Sequence, residues 1–161
     1  MIFVTVGHKE FDRLVKAIDK IAEKIDDDFV IQIGDRPKYI PKNAKFFYFL
    51  TRKEIGCYFQ KANLIISHCS IGPLLQAKHY AKPIILVPRL KLYNEAVNNH
   101  QVEFSKMLLE QKDIFGVEVI FDIEKLEEKI AEVLKNKNNF SFKPSAARRN
   151  LLETLSNFVN F

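Results

Sequence analysis

Leu64–Gly72 reads LIISHCSIG, and Ile84–Gln101 reads IILVPRLKLYNEAVNNHQ. Each stretch begins as a short apolar run rich in β-branched residues, which is typical of a buried strand. Each run then stops at polar residues that are able to bind a ligand. In an open parallel sheet, the loops that leave the carboxyl ends of the strands form the ligand crevice. The two stretches therefore predict one binding site built from two strand-to-helix loops.

The rest of the chain repeats this alternation of strand and helix. Ile2–Val6 and Phe29–Ile33 read as buried strands, and apolar residues recur at helical spacing between them. A short aromatic strand over 45–50 follows a loop with two prolines, and Thr51 with Glu54 has the spacing of a helix capping box. We expect an α/β fold: a Rossmann-like parallel sheet with helices on both faces.

Further elements are predicted from apolar spacing and from residues that begin or end helices. In chain order, they are a helix over 74–81 opened by Pro73, a helix from about Glu95 to Glu110, a strand over 117–121, a helix capped by Asp122, a linker over 137–143 and a C-terminal helix over 144–159. No strong boundary interrupts them, so residues 1–161 are expected to form a single domain.

Composition excludes several classes of protein. The 161 residues are 47% hydrophobic, which is too apolar for a disordered chain and sufficient for a buried core. Two cysteines are too few for a disulfide framework, so a cytoplasmic location is expected, and no His or Cys spacing fits a metal site. No signal peptide or membrane-spanning run is recognisable. The net charge is +5, but the sequence shows no stripe of basic residues interleaved with exposed aromatic residues, so no nucleic-acid partner is expected.

The candidate binding residues follow strands and carry hydrogen-bonding groups or glycine. They are Gly7, His8, His68, Ser70, Gly72, Gln76, Arg89, Glu95, Asn99, His100 and Gln101. A helix beginning after Gly72 would aim its positive end at a diphosphate, and the Ser70 hydroxyl could donate to a phosphate oxygen. The amide-rich segment 94–101 offers the directed donors and acceptors that a sugar and a uracil need. Together these features predict a nucleotide-sugar site.

Each candidate also has a purely structural interpretation. Gly7 could only permit a tight turn, and the loop after His68 could be an ordinary strand-to-helix connection with a satisfied histidine. Gln76 could be solvated, and 94–101 could be a polar loop and an exposed helix start. Cys69 lacks a paired acid or a nucleophile elbow, so it is expected to be structural, and the catalytic residues stay unknown.

These same residues carry a resemblance to a known family. ISHCSIG and KPIILVPRLKLYNEAVNNHQVEF, with the opening IFVTVG and FDRL, resemble the carboxyl-terminal half of GT-B glycosyltransferases of family 28. The likeness covers about residues 2–111. It is strongest to the single-domain subunits of two-component transferases, which include bacterial capsule and exopolysaccharide subunits and the cytosolic subunit that extends dolichol-linked GlcNAc in eukaryotes.

The resemblance implies roles for the candidate residues. Gly7 matches the first glycine loop, His68–Gly72 matches the loop that contacts the donor diphosphate, and Gln76 matches a ribose-binding position. Arg89 matches the arginine of a VPR motif. Glu95, His100 and Gln101 match the E…HQ positions that face the donor sugar and nucleotide. The implied reaction is inverting transfer of a sugar, such as GlcNAc or Gal, from a UDP-sugar to a lipid-linked acceptor. The resemblance implies that no cofactor and no metal are needed. It also implies a membrane-anchored partner subunit that holds this chain at the inner face of the membrane.

Four positions depart from the family pattern. His8 replaces a threonine, Cys69 and Ser70 replace two glycines, and Pro73 stands where a hydroxyl residue is common. His8 is the one local candidate for a general base. The departures motivate an alternative function, a non-catalytic family member that serves as a binding or scaffold module. Nonspecific nucleic-acid binding is the third and least favoured alternative.

Overall fold

The computed structural model describes residues 1–110 and 116–136. The strands in these ranges are β1 Ile2–Thr5, β2 Phe29–Gln32, β3 Lys45–Phe47, β4 Leu64–His68, β5 Ile84–Val87 and β6 Val117–Val119. The helices are α1 Asp12–Ala22, α2 Arg52–Lys61, α3 Ile71–His79, α4 His100–Glu110 and α5 Leu126–Lys135, with short 3-10 turns at Lys91–Tyr93 and Ile123–Lys125.

All six described strands join one parallel sheet in the order β3-β2-β1-β4-β5-β6. This is the Rossmann order, in which the chain runs to one edge and then returns past β1 to build the other half. Strands β1, β2 and β5 are buried along their whole length, which explains their continuous apolar runs. The predicted α/β class and parallel sheet are confirmed.

Helices cover both faces of the sheet, as predicted. Ile18 of α1 and Ile130 of α5 belong to one buried apolar cluster. Phe59 of α2, Leu74 of α3 and Phe104 of α4 belong to a second cluster on the opposite face. The sheet therefore separates two cores, and its carboxyl edge lies between the two helical layers.

One crossover has no helix. Residues 33–44, between β2 and β3, form the loop that the prolines predict. Buried Asp19 of α1 secures it, because its carboxylate accepts hydrogen bonds from the Tyr39 hydroxyl at 2.6 Å and from the amides of Lys42 at 2.9 Å and Asn43 at 2.7 Å. The expectation that strands alternate with helices throughout is wrong at this point, because side-chain bonds to α1 replace the packing of a crossover helix.

The largest error in the predicted elements concerns α4. The helix expected from about Glu95 begins at His100, after a turn in which Asn94 has a left-handed backbone with φ of 57°. The Asn98 side chain accepts a hydrogen bond from the His100 amide at 3.3 Å, so it helps to start the helix rather than continue it. Residues 95–99 therefore precede α4 and are not helical.

Other bounds differ less. Helix α3 begins at Ile71 rather than Leu74, and Pro73 lies in its first turn, where a missing amide is tolerated. The capping box of Thr51 and Glu54 is confirmed by both of its hydrogen bonds. Asp122 caps the 3-10 turn that leads into α5. The predicted linker over 137–143 and the helix over 144–159 lie outside the described residues.

Candidate functional site

The chain leaves β1 and β4 toward opposite faces of the sheet, although these strands are hydrogen-bonded neighbours. Such a divergence is where open α/β sheets bind ligands. Two predicted site residues meet there. A Cβ atom placed on Gly7 would lie 2.9 Å from Cε1 of the His68 ring, so the β1 loop and the β4 loop touch at this point.

A buried polar pair that sequence reasoning missed shapes the β1 loop. The Thr5 hydroxyl donates to Gln32 Oε1 at 2.6 Å, and Gln32 Nε2 donates to the Gly7 carbonyl at 2.8 Å. Gly7 itself has φ of 73°, in the left-handed region that favours glycine. The available signal was a threonine and a glutamine inside otherwise apolar strands, since buried polar side chains need partners.

Hydrogen bonds fix the proton positions on His68. The Ser67 hydroxyl donates its one hydrogen to the Thr5 carbonyl at 2.7 Å, so its oxygen can only accept from His68 Nδ1, which lies 3.3 Å away. A neutral imidazole protonated on Nδ1 has a bare Nε2. The Ser70 hydroxyl lies 2.9 Å from that atom and therefore donates to it. Ser70 thus directs its hydrogen at His68 instead of at the crevice.

The charge environment keeps His68 neutral. Burial, and then the positive charge of Arg89, lower its pKa from 6.5 to about 4. Such a ring is a weak proton acceptor at neutral pH, which makes His68 a poor general base. Its neighbour Cys69 is buried, and burial raises the pKa of the Cys69 thiol to about 11. The thiol is therefore inert, as the structural interpretation of Cys69 predicts.

The start of α3 leaves backbone donors uncapped. Ser70 is the N-cap residue, but its side chain makes no capping hydrogen bond. The usual partner would be an amide in the first turn, and Pro73 at the third position has none. The Ile71 and Gly72 amides at the first two positions precede that proline, and beyond the adjoining residues and the backbone of its own helix no atom lies within 4 Å of a Cβ built on Gly72. An uncapped helix start beside open space is suited to an anion.

Arg89 faces inward. It is 5% exposed, and its guanidinium donates to the carbonyls of Val6 and Lys9 at 2.7 Å each while lying 5.1 Å from the Phe11 ring centroid. Burial lowers its pKa to about 10, against the raising effect of Glu95, so it stays charged at neutral pH. Arg89 therefore ties the loop after β5 to the loop after β1, and in this structure its charge is directed at backbone carbonyls.

Glu95 is likewise engaged inside the protein. Its carboxylate accepts from Arg13 Nε at 2.8 Å and from an Arg13 terminal nitrogen at 3.0 Å, and it also accepts from the Leu90 amide at 2.9 Å. Arg13 donates in addition to the Pro88 carbonyl at 3.0 Å. This charged fork anchors the β5 loop onto α1. Arg13 was missed as a contributor because its partner lies 82 residues away in the sequence.

The remaining candidates in the β5 loop divide into buried and exposed groups. Gln101 Oε1 accepts from the Arg89 amide at 3.0 Å, so this side chain supports the loop. Asn99 and His100 are exposed, and His100 Nδ1 lies 3.5 Å from a Glu103 carboxylate oxygen. The Asn99 side chain and His100 Nε2 are therefore free to meet a ligand without breaking a described bond.

The other candidates lie around the β1 and β4 loops. His8 is exposed, and its ring centroid lies 5.5 Å from that of Phe49. Gly72 is exposed in the first turn of α3, and Gln76 is half-buried one turn later. The structure thus brings Gly7, His68 and Ser70 together directly, with Gly72 beside them.

A groove of about 770 Å³ opens between the start of α1 and the segment after β5. Its lining includes Lys9, Lys16, Tyr93 and Val97. The loop His68–Gly72 does not line it, so the groove is a separate feature of the carboxyl edge. Within residues 1–110 and 116–136, no cluster of three or more His, Cys, Asp or Glu side chains is arranged to hold a metal ion. No helix in those ranges is long and apolar enough to cross a membrane.

The glycosyltransferase family 28 C-terminal domain matches residues 1–157 of the chain. This chain belongs to glycosyltransferase family 28. The family assignment confirms the resemblance seen in the ISHCSIG and VPR…HQ segments, and those segments correspond to the β4 and β5 loops described above.

Two relatives in this family are named as subunits. The chain is 30% identical over 125 residues to the human UDP-N-acetylglucosamine transferase subunit ALG13, a match that covers 71% of this chain and 11% of the human protein. It is 32% identical over 124 residues to the mouse protein of the same name, covering 70% of this chain and 10% of that one. The match with this chain therefore spans about a tenth of the length of these relatives.

Solved structures show the fold alone, because their sequence identities are low. The glycotransferase of kitacinnamycin is similar with a TM-score of 0.64 and 14% identity, over 95% of this chain and 39% of that one. A UDP-GlcNAc 2-epimerase from Neisseria meningitidis bound to UDP-GlcNAc is similar with a TM-score of 0.56 and 15% identity, over 97% of this chain and 43% of that one. Since one neighbour is a transferase and the other an epimerase, the fold by itself does not select the reaction.

Proposed function

We propose that this chain is the donor-binding subunit of an inverting glycosyltransferase that moves a sugar from a UDP-sugar to a lipid-linked acceptor. A membrane-anchored partner chain supplies the acceptor side. The observation that carries the proposal is the uncapped start of α3 at the divergence of β1 and β4, in a family 28 domain. The names of the ALG13 relatives support UDP-GlcNAc as the first donor to test.

The departing UDP carries negative charge, so catalysis requires groups that stabilise an anion. In this proposal the Ile71 and Gly72 amides and the positive end of α3 take this role. The Ser70 hydroxyl donates its hydrogen to His68, so in this orientation its oxygen can accept a hydrogen bond but cannot donate one to a ligand. Ser70 must therefore rotate away from His68 if it is to donate to a phosphate oxygen.

Removal of the acceptor proton requires a base with a pKa nearer to neutrality than that of His68. His68 has a pKa of about 4, and the Glu95 carboxylate is held by Arg13. His8 is exposed beside the crevice and is the one remaining local candidate in the β1 loop. We assign the base to the partner chain, which leaves the isolated subunit able to bind donor but slow to turn it over.

Titration of the chain with UDP-GlcNAc, followed by amide NMR, tests the proposal. We expect saturable shifts at Ile71 and Gly72, with smaller shifts at the exposed His100. UDP-Gal serves as the comparison donor, and the same titration with uridine alone isolates the contribution of the diphosphate. No saturable shift at millimolar UDP-GlcNAc contradicts donor binding, and full-rate transfer to a lipid acceptor by the isolated chain contradicts the need for a partner.

The second candidate function is a non-catalytic scaffold module. It is favoured by the internal use of three predicted donor contacts: Ser70 donates to His68, Arg89 binds backbone carbonyls, and Glu95 binds Arg13. The NMR titration separates the two functions, because a scaffold would bind its partner chain while showing no donor-dependent shift at Gly72.

A further inference from the structure

A buried amide, that of Gln32, joins two loops at the carboxyl edge of the sheet. Its Nε2 donates to the Gly7 carbonyl at 2.8 Å and to the Tyr48 carbonyl at 3.2 Å. The first carbonyl belongs to the loop after β1 and the second to the segment after β3. Strand β2 lies between those two strands in the sheet, so one of its side chains holds both loops at a fixed separation.

The hydrogen bonds allow this amide one orientation. A carbonyl oxygen can only accept, so the nitrogen of the Gln32 amide must face Gly7 and Tyr48. Its oxygen then faces the Thr5 hydroxyl, which donates to it at 2.6 Å. The Thr5 oxygen in turn accepts from the Gly7 amide at 3.4 Å. Every hydrogen that these two side chains can donate is therefore used.

Strand packing alone does not require this polar pair. Gln32 is 3% exposed and Thr5 is 5% exposed, and both end strands that are otherwise apolar. An apolar pair would fill the space without the cost of removing polar groups from water, whereas a fully satisfied buried network specifies one conformation. The conformation specified here is the Gly7 turn, because the N–H and the carbonyl of Gly7 are both bonded to this pair.

The Gly7 turn in turn contacts the His68 ring. A Cβ atom on Gly7 would lie 2.9 Å from the ring Cε1, so the ring occupies the space that a larger residue would take. The ring Nε2 receives the hydrogen of Ser70, which is the N-cap residue of α3. A chain of contacts thus runs from Gln32 through Gly7 and His68 to the start of α3.

We propose that Gln32, oriented by Thr5, is a positioning residue for the anion site at the start of α3. It acts through Gly7 and His68: the amide holds the Gly7 turn against the ring, and the ring directs the Ser70 hydrogen. The identity of the anion rests on the proposed function, whereas the positioning itself is a property of the free protein. Without the amide, donor binding would first have to order the Gly7 turn.

Ring-nitrogen NMR of His68 in the ligand-free full chain at neutral pH tests the positioning. Gln32→Met removes the amide and keeps an unbranched side chain of similar length. We expect the wild type to show the tautomer protonated on Nδ1, and Gln32→Met to populate the second tautomer as well. Tyr39→Phe is the control, because it removes the 2.6 Å hydrogen bond to buried Asp19 outside this chain of contacts, and it should leave the ring signals unchanged.

A milder pair of variants decides the matter even where Gln32→Met is poorly folded. Thr5→Val removes the hydroxyl that orients the amide and keeps the shape of the side chain, whereas Thr5→Ser keeps a hydroxyl. Thr5→Val should change the His68 ring signals in the same direction as Gln32→Met, and Thr5→Ser should retain the wild-type pattern. Unchanged signals in Gln32→Met and Thr5→Val, or an equal change in Tyr39→Phe or Thr5→Ser, overturn the proposal.

Calorimetric titration with UDP-GlcNAc tests the connection to the anion site. We expect about tenfold weaker binding by Gln32→Met, because binding must then order about one backbone residue, and less than about a twofold change for Tyr39→Phe. Unchanged affinity in Gln32→Met together with altered ring signals overturns the role of Gln32 at the anion site. An absence of binding by the wild type contradicts the proposed donor function, and the ring signals of the free protein still decide whether Gln32 positions His68.

Discussion

Two glycines at the carboxyl edge should respond oppositely to the same substitution. Gly7→Ala forces an alanine into a backbone with φ of 73°, which costs about 1–2 kcal/mol. The new Cβ would also lie 2.9 Å from the His68 ring, which is held by Ser67 and Ser70. Moving the ring weakens those two hydrogen bonds, at about 1 kcal/mol each. We expect a loss of about 3 kcal/mol in the free energy of unfolding.

Gly72→Ala is the control within the same site. Gly72 lies in the first turn of α3, and its added Cβ meets nothing within 4 Å. Alanine is favoured over glycine in a helix by about 0.5–1 kcal/mol, so this variant should be slightly more stable than the wild type. Urea unfolding followed by circular dichroism measures both changes. Equal effects of the two substitutions, or a stabilised Gly7→Ala, would refute the argument from backbone and contact geometry.

The Gly72→Ala variant also separates stability from binding. A Cβ on a helix points toward the N-terminus, which here is where the proposed diphosphate lies. We expect UDP-GlcNAc affinity to fall about tenfold while the protein keeps or gains stability. Isothermal titration calorimetry measures the affinity. Unchanged affinity would place the diphosphate away from the start of α3.

Three further predictions follow from individual side chains. Glu95→Gln should lower the free energy of unfolding by about 1–2 kcal/mol, because the charged fork with Arg13 is lost, and it should speed proteolysis of the β5 loop. An unchanged urea unfolding curve and an unchanged cleavage rate contradict this prediction. The pKa of His68 is about 4 in the folded protein and 6.5 for the free group, so the unfolded state takes up the proton at higher pH, and the free energy of unfolding should fall as pH drops from about 6.5 to 4. His68→Gln should flatten this dependence of the free energy of unfolding on pH. An unchanged pH dependence in the variant contradicts the assignment to His68. A thiol reagent at neutral pH should modify exposed Cys57 rapidly, and buried Cys69 only after unfolding; rapid modification of both thiols contradicts the inert role of Cys69.

Local sequence patterns were sufficient for the sheet. Continuous apolar runs such as Ile2–Val6 are typical of strands buried on both faces, and they occupy the positions predicted. The capping box at Thr51 depends on residues three apart, so it could be recognised without any tertiary information. These features form locally, and sequence spacing is a direct guide to them.

The site was harder to predict because long-range side-chain bonds determine it. Glu95 appeared to begin a helix, but its carboxylate is bound by Arg13, 82 residues away, and α4 begins only at His100. Arg89 appeared to face a ligand, yet its charge lies on carbonyls 80 and 83 residues away. Local spacing identifies which residues carry hydrogen-bonding groups, but it does not show which protein atoms already occupy them.

The bonds of Arg13 and Arg89 bear on how enzymes of this family can be assembled from separate genes. Both arginines fasten the β5 loop to residues near β1, and every such bond described joins residues between 6 and 101. This domain therefore builds its own loop geometry, and a chain break outside this span leaves that geometry whole. A domain that holds its own loops in this way is suited to being carried within a much longer polypeptide, as in the human relative, of which the match covers 11%.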